Sequence, residues 1–248
     1  MRFLTAGLAA LLVGGCATRG PLHLYSAAGT QPGFVSDRGP TTVSRLPVFL
    51  PVGSTLTGLA YDPFTDCLFL RLAPGNRIRV IDRPARRIKR EFTVDALAAA
   101  GGGDLAVRPR DGHLFLAHPT EPALVETTRF GEFVRTIALE RLTAPPAGVA
   151  YDAARDQLLV LSVAGELPEV SVHATDGRWL RRIPLRSAGA REGLAYDPAA
   201  REFYVASTGA AVIAVFDEQG ELRRTVPAPG NIPARFFDLG ERSFVRIF

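Results

Sequence analysis

The motif Gly58-Leu59-Ala60-Tyr61-Asp62-Pro63 recurs three more times in this chain of 248 residues. The further copies are Gly103–Pro109, Gly148–Ala153 and Gly193–Pro198. Their equivalent apolar residues, Leu59, Leu105, Val149 and Leu194, follow one another at intervals of 46, 44 and 45 residues. A nearly constant period of this length indicates a repeat architecture. The motif therefore decides the fold class before any residue propensity is considered.

One repeat, residues 193–227, shows the pattern of a four-stranded unit. Its apolar runs predict strands at Gly193–Tyr196, Glu202–Ala206, Val212–Phe216 and Leu222–Val226. The first turn, Asp197–Ala200, begins with Asp-Pro, in which Asp accepts a backbone hydrogen bond and Pro presets φ. Four antiparallel strands, repeated radially, predict an all-β fold, the β-propeller.

The two ends of the chain carry the strands of one further blade. Ala234–Asp238 and Ser243–Phe248 match the first two strands of a repeat, and Phe34–Gly39 and Thr42–Pro47 match the third and fourth. A blade split between the termini closes the ring, which gives five blades in a domain spanning residues 34–248. Leu22–Tyr25 could form another strand, so six blades remain an alternative.

The Gly-Leu-Ala-Tyr-Asp-Pro units resemble those of the NHL and YVTN-type propeller superfamily, over about residues 34 to 248. The resemblance implies the propeller fold. It implies little about function, since this fold carries binding scaffolds and enzymes alike.

The first residues read as an export signal. One positive charge at Arg2 precedes an apolar run that is too short to span a bilayer, which takes about 20 residues. Val13-Gly14-Gly15-Cys16 resembles the lipobox of bacterial lipoproteins. The resemblance implies a signal peptide over 1–15, acylation (palmitate among the acyl groups) at Cys16, and a linker over 16–33. Ala17 favours the outer membrane, on its periplasmic side.

The formal net charge is +4, and Lys89 is the only lysine, so the positive charge comes from arginine. Arginines cluster at Arg83, Arg86, Arg87 and Arg90 around Lys89, at Arg181-Arg182 and at Arg223-Arg224. All lie in the outer part of a repeat, where charge prevents edge-to-edge strand pairing. Attraction to an anionic membrane or lipopolysaccharide-like partner is the functional alternative. Nothing indicates a nucleic-acid partner, and we expect a monomer.

The loops beside the innermost strands hold the candidate binding residues Asp104, Arg191, Glu192 and Arg235 at the channel mouth. Glu192 with the strand that follows it resembles the blade start of phytase-like, SdiA-regulated and sugar-lactone hydrolase propellers. That resemblance implies a divalent cation such as calcium, with Glu192 and Asp104 as weak catalytic candidates. A hard cation needs about six oxygen ligands, which two carboxylates do not supply. The alternative is that Glu192 pairs with Arg191 or Arg235.

The recurring Asp62, Asp152, Asp197 and Asp238 are interpreted as structural, because each is expected to begin the same turn. No Cys-x-x-Cys-His, Gly-x-Ser-x-Gly or P-loop motif occurs in the sequence. The sequence therefore predicts a non-enzymatic, membrane-anchored module that binds an envelope protein, peptide or glycan and holds no cofactor. A metal-dependent periplasmic hydrolase of lactonase or phytase type is the alternative.

Overall fold

The computed structural model describes residues 22–28, 34–39, 41–97, 101–187, 189–207, 209–228 and 234–241. The predicted signal peptide, the lipobox with Cys16, and residues 243–248 lie outside this described part. Its regular structure is β-strand, apart from one 3-10 turn at Asp95–Leu97. No helix in these ranges is long and apolar enough to cross a membrane.

In chain order the strands are β1 Leu22–Ala28, β2 Phe34–Arg38, β3 Val43–Pro47, β4 Thr55–Asp62, β5 Cys67–Ala73, β6 Arg77–Asp82, β7 Arg87–Thr93, β8 Leu105–Arg108, β9 His113–Ala117, β10 Ala123–Thr127, β11 Phe133–Ala138, β12 Gly148–Asp152, β13 Gln157–Ser162, β14 Glu169–Ala174, β15 Trp179–Pro184, β16 Ala190–Asp197, β17 Glu202–Ser207, β18 Val212–Asp217, β19 Leu222–Pro227 and β20 Ala234–Glu241.

These strands form five four-stranded antiparallel sheets, which confirms the five-bladed β-propeller. From the innermost strand outward, blade A is β20-β1-β2-β3 and blade B is β4-β5-β6-β7. Blades C, D and E follow in the same way as β8 to β11, β12 to β15 and β16 to β19. The first strands of neighbouring blades contact one another around the ring.

Blade A is split between the termini, but not in the predicted way. The sequence assigned its second strand to Ser243–Phe248, and the structure places β1 there, paired with β20 on one side and β2 on the other. That assignment was wrong because three strands come from the N-terminal side and one from the C-terminal side. The segment expected to be a linker, 16–33, thus contributes a strand of the ring, and Leu22–Tyr25 does not start a sixth blade.

The core consists of five apolar layers, one between each pair of adjacent blades. Second and third strands are buried on both faces, because each blade is covered by a neighbour on either side. Phe69, Phe115, Phe203 and Phe216 are among the fully buried side chains. Burying apolar surface stabilises by roughly 25 cal/mol per Å² removed from water. The fourth strands are largely exposed, as in β7 and β19, which form the rim.

The innermost strands approach one another closely, which explains the glycine that opens each motif copy. A Cβ atom on Gly148 would lie 2.7 Å from the backbone carbonyl carbon of Gly193 in the next blade. A side chain at this position would force the two strands apart. The small residues of the motif are therefore a packing requirement of the ring axis.

Alternating connections place the loops on two opposite faces of the ring. The turn face carries the connections between first and second strands and between third and fourth strands. The loop face carries the remaining connections, including those from one blade to the next. In blade A the first two strands, β20 and β1, come from opposite ends of the chain, so no turn connects them. Leu22 and Glu241 are paired there in register, so both lie at the turn face.

Candidate functional site

Three of the four recurring aspartates have the structural role that was predicted. Asp62 accepts a hydrogen bond from the Phe64 amide at 3.0 Å, and Asp152 accepts one from the Ala154 amide at 2.9 Å. Asp197 binds its turn in the same way. These carboxylates close the first turn of blades B, D and E and are not free for chemistry.

Asp238 is the exception, and its interpretation as a turn residue was wrong. It lies inside β20, which continues to Glu241 without reversing direction. Its Oδ2 accepts from the Tyr61 amide of blade B at 2.7 Å, and its Oδ1 accepts from the Leu239 amide at 2.8 Å. Desolvation raises the pKa of Asp238 to about 7, against the pull of these two amides. This carboxylate therefore joins blades A and B.

Asp104 joins blades in the same manner at the start of β8. It is 4% exposed, and its Oδ2 accepts from the Val149 amide of blade D at 2.9 Å. Its Oδ1 is buried without a hydrogen-bond partner among the described residues. Burial raises the pKa of Asp104 to about 8, the amides of Val149 and Leu105 oppose that shift, and the charge of Asp238 adds to it. The predicted site residue is thus part of the ring's interior.

Arg71, in β5, is a buried cation that sequence reasoning missed. Its guanidinium donates to the Ala117 carbonyl of blade C at 2.7 Å and to Asn76 Oδ1 at 2.6 and 3.0 Å. Burial lowers the pKa of Arg71 to about 10, and the charge of Asp104 opposes that shift. The available signal was an arginine inside the apolar run Leu70–Leu72, which is costly unless it is hydrogen-bonded.

Glu192 and Arg235 meet at the channel mouth on the loop face, in the pair that was the alternative to catalysis. The Arg235 guanidinium donates to both carboxylate oxygens of Glu192, each at 3.0 Å. This pair raises the pKa of Arg235. The side chain of Arg191 is outside the description. Within the described ranges, no three His, Cys, Asp or Glu side chains are grouped so that they could hold a metal ion.

A second surface, on the turn face of blades B and C, includes the arginine cluster around Lys89 that the sequence analysis named. We call it the basic aromatic surface: Phe64, Arg86, Arg87, Lys89, Arg129 and Phe130. Phe64 and Phe130 are 57% and 61% exposed. The guanidinium of Arg129 lies 5.9 Å from the ring centre of Phe64, which brings turns of two blades together.

Arg90 supports this surface from beneath. Its guanidinium lies 4.5 Å from the Phe130 ring centre, and its Nη2 donates to the Arg129 carbonyl at 2.5 Å. Burial lowers the pKa of Arg90, and the charge of Arg129 acts in the same direction. Two cations are thus held close together without a carboxylate between them.

The cations of this surface lack acidic partners within the part of the chain that is described. Arg86, Arg87, Lys89, Arg90 and Arg129 form no ion pair there, and nearby carboxylates are engaged elsewhere. Asp82 accepts from the Ala85 amide, and Glu132 accepts from the Thr128 hydroxyl. By contrast, Arg83 of the cluster around Lys89 is paired with Asp66. The other predicted clusters are also paired: Arg181 with Glu218, Arg182 with Glu169, Arg223 with Asp217 and Arg224 with Glu202.

Comparison with known proteins gives the fold alone. No protein-family model matches the sequence, and no curated protein matches it. A chain in a crystal structure of a nidogen–laminin complex is similar with a TM-score of 0.61 at 13% identity, over 88% of this chain and 98% of that one. A chain of a mitotic checkpoint complex gives a TM-score of 0.52 at 12% identity, over 98% and 95%. A Bacteroides caccae protein of unknown function gives 0.50 at 18%, over 84% and 73%.

Proposed function

We propose that this protein is an outer-membrane lipoprotein, tethered through Cys16 on the periplasmic side, whose propeller acts as a monomeric binding or scaffold module for an envelope protein, peptide or glycan. The observation that carries the proposal is the position of Leu22 on the turn face. A tether that leaves from that side keeps the opposite, loop face open to the periplasm, and this face holds Glu192 and Arg235.

Binding is favoured over catalysis by the use that the ring makes of its buried charges. Asp104, Asp238 and Arg71 each bridge two blades through backbone groups. Groups employed in this way hold the ring rigid. A rigid ring suits recognition, because a preorganised surface loses little conformational freedom when it binds. Neighbours of the same fold that occur in protein complexes support the same interpretation.

The anchor is tested by fractionating cells that express the wild type or Cys16→Ser. We expect the wild type to stay with the outer membrane through a high-salt wash, because buried acyl chains are insensitive to ionic strength. We expect Cys16→Ser to be released by the same wash. Salt-resistant membrane attachment of the variant would contradict the lipid anchor.

The loop face is tested by photo-crosslinking in intact cells. A crosslinking residue at position 192 lies on the loop face, and the matched control at position 201 lies in a turn on the opposite face. We expect a discrete envelope partner to be captured from position 192 and not from position 201. Equal capture from both positions would contradict recognition by the loop face.

A metal titration separates the binding module from the hydrolase alternative. We expect calcium or magnesium to leave the melting temperature of the protein unchanged, because Glu192 is already paired with Arg235. A metal-dependent rise in melting temperature that Glu192→Gln abolishes would contradict the binding module and favour the hydrolase.

A further inference from the structure

The basic aromatic surface combines unpaired cations with exposed aromatic side chains. Its cations, counting Arg90, form no ion pair among the described residues, and the charges of Arg90 and Arg129 act against each other. Phe64 and Phe130 expose most of their rings beside these cations. Exposed apolar groups next to unbalanced charge mark an interaction site for an anionic partner with an apolar component.

The residues of this surface come from two blades, and packing holds them in position. Arg129 lies over the first turn of blade C, where Gly112 has a φ of +73° and no side chain. A Cβ atom at Gly112 would come within 2.1 Å of the Arg129 guanidinium. From that position Arg129 reaches the Phe64 turn of blade B. Both exposed rings are therefore fixed on the same face.

The tether leaves from this face. Leu22 lies at the turn face of blade A, and Arg86 of blade B donates to the Arg45 carbonyl of blade A, so the surface reaches the blade that carries the tether. Five residues separate Cys16 from Leu22, and the six steps from one Cα to the next span only about 20 Å even when fully extended. An acylated Cys16 therefore keeps the turn face close to the bilayer at all times.

We propose that the turn face rests on the membrane, with the cations of the basic aromatic surface on anionic lipid headgroups and with Phe64 and Phe130 in the interfacial region. This inference rests on the proposed lipid anchor. Cations beside exposed apolar side chains are the combination that binds anionic bilayer surfaces. The membrane is chosen over an acidic protein because the tether brings the bilayer to this face. The ring then presents the Glu192–Arg235 mouth to the periplasm.

The test uses the chain from residue 17 onward, which contains every described residue and carries no lipid. Its binding is measured by co-sedimentation with phosphatidylcholine vesicles, with and without phosphatidylglycerol. We expect binding to the anionic vesicles only, weakened by salt. Arg86→Gln/Arg87→Gln/Lys89→Gln should weaken it about a hundredfold, at about fivefold for each cation. Phe64→Ser/Phe130→Ser should weaken it several-fold and leave its salt dependence unchanged, because the cations remain.

The matched control is Arg181→Gln/Arg201→Gln/Arg223→Gln, which removes the same charge from blades D and E. We expect it to bind vesicles like the wild type. Equal weakening by both triple variants would overturn the inference, because general charge attraction would then suffice. No binding to anionic vesicles would also overturn it and would leave the surface to an acidic protein. Either failure leaves the salt-resistant anchoring of the Cys16 experiment untouched, so the two proposals fail separately.

Discussion

The turn face carries arginines at the D–E junction and at the B–C junction, and the two groups have different surroundings. At the D–E junction, Glu218 accepts from Arg155 and from the Tyr196 hydroxyl, with Arg181 and Arg201 within 4.0 Å. At the B–C junction, Arg86, Arg87, Lys89, Arg90 and Arg129 share no carboxylate among the described residues. The same residue type therefore forms ion pairs on one side and lacks them on the other.

This difference distinguishes two explanations of the arginine clusters that the sequence alone could not distinguish: protection of the outer strands and attraction to an anionic partner. Charge on an outer strand is enough to prevent edge-to-edge pairing, whether or not it is compensated. Both junctions satisfy that need, so edge protection does not account for the missing carboxylates at the B–C junction. An external anionic surface accounts for the unpaired cations beside the exposed Phe64 and Phe130.

The largest loss of stability is expected at Glu126 in β10, whose carboxylate is a counter-ion of a buried arginine. Glu126 is 2% exposed and accepts from Arg108 at 2.8 Å and from Arg135 at 2.7 Å. Glu126→Gln should destabilise the fold by about 3 kcal/mol, because Arg108 and Arg135 lose their shared buried counter-charge and Arg108 keeps only the more exposed Asp111. Urea unfolding measures this loss, with the exposed Glu132→Gln as the control. A loss of unfolding free energy no larger than that of Glu132→Gln would mean that the buried Arg108 does not need the charge of Glu126.

The next effect is the pH dependence of stability that comes from Asp104 in the interior of the ring. An unfolded aspartate has a pKa of about 3.9, while Asp104 in the fold has one of about 8. Between these values the folded state holds a proton that the unfolded state has released. Stability is therefore complete below pH 4 and falls as the pH rises toward 8.

Asp104→Asn should reduce this slope in urea unfolding between pH 5 and pH 8 and leave the part that comes from Asp238, whose pKa is about 7. An unchanged slope would contradict a protonated Asp104. Glu218 of the D–E junction does not interfere with the measurement. Burial alone would raise the pKa of Glu218, but the hydrogen bonds from Arg155 and Tyr196 lower it. The stability from Glu218 is therefore lost only as the pH falls below about 4.5.

A smaller effect is expected from converting the D–E junction into a copy of the B–C junction. Glu218→Gln releases Arg155 and the Tyr196 hydroxyl, and should cost about 1 to 2 kcal/mol in the free energy of unfolding. The same variant should bind anionic vesicles several-fold more tightly than the wild type, since bare arginines then occupy both junctions. Unchanged vesicle binding would mean that the carboxylate does not distinguish the two junctions.

The smallest effect on stability is expected at the basic aromatic surface itself. Arg86→Gln/Arg87→Gln/Lys89→Gln should change the free energy of unfolding by less than about 0.5 kcal/mol, since exposed unpaired cations contribute little to a fold. Thermal and urea unfolding measure this. A loss comparable with that of Glu126→Gln would show these residues to be structural and would remove the reason to seek a ligand for them.

The features that the sequence could predict are those that depend on neighbouring residues in the chain. The repeated motif predicts the blades, and Asp62, Asp152 and Asp197 act within three residues of their own position. The pairing of the two termini is not local. Ser243–Phe248 and Leu22–Tyr25 both have the composition of strands, and only the closed ring decides which of them pairs with β20.

The candidate residues were harder to interpret for the same reason. Asp238 matches the turn aspartates in sequence, yet it lies within a strand, because no first turn follows it in blade A. Arg71 finds its partner carbonyl 46 residues away, at Ala117. Whether an arginine is paired or bare also depends on distant carboxylates, so the sequence could group the arginine clusters but not separate them.

The most direct test of the account measures which face of the anchored ring touches lipid. The lipidated protein is placed in anionic vesicles containing brominated lipids, which quench nearby tryptophan, in a Trp179→Phe background. Phe130→Trp reports on the turn face and Leu167→Trp, also exposed, reports on the loop face. We predict strong quenching at position 130 and none at position 167. Equal quenching at both, or quenching at position 167 alone, would contradict a ring that rests on its turn face.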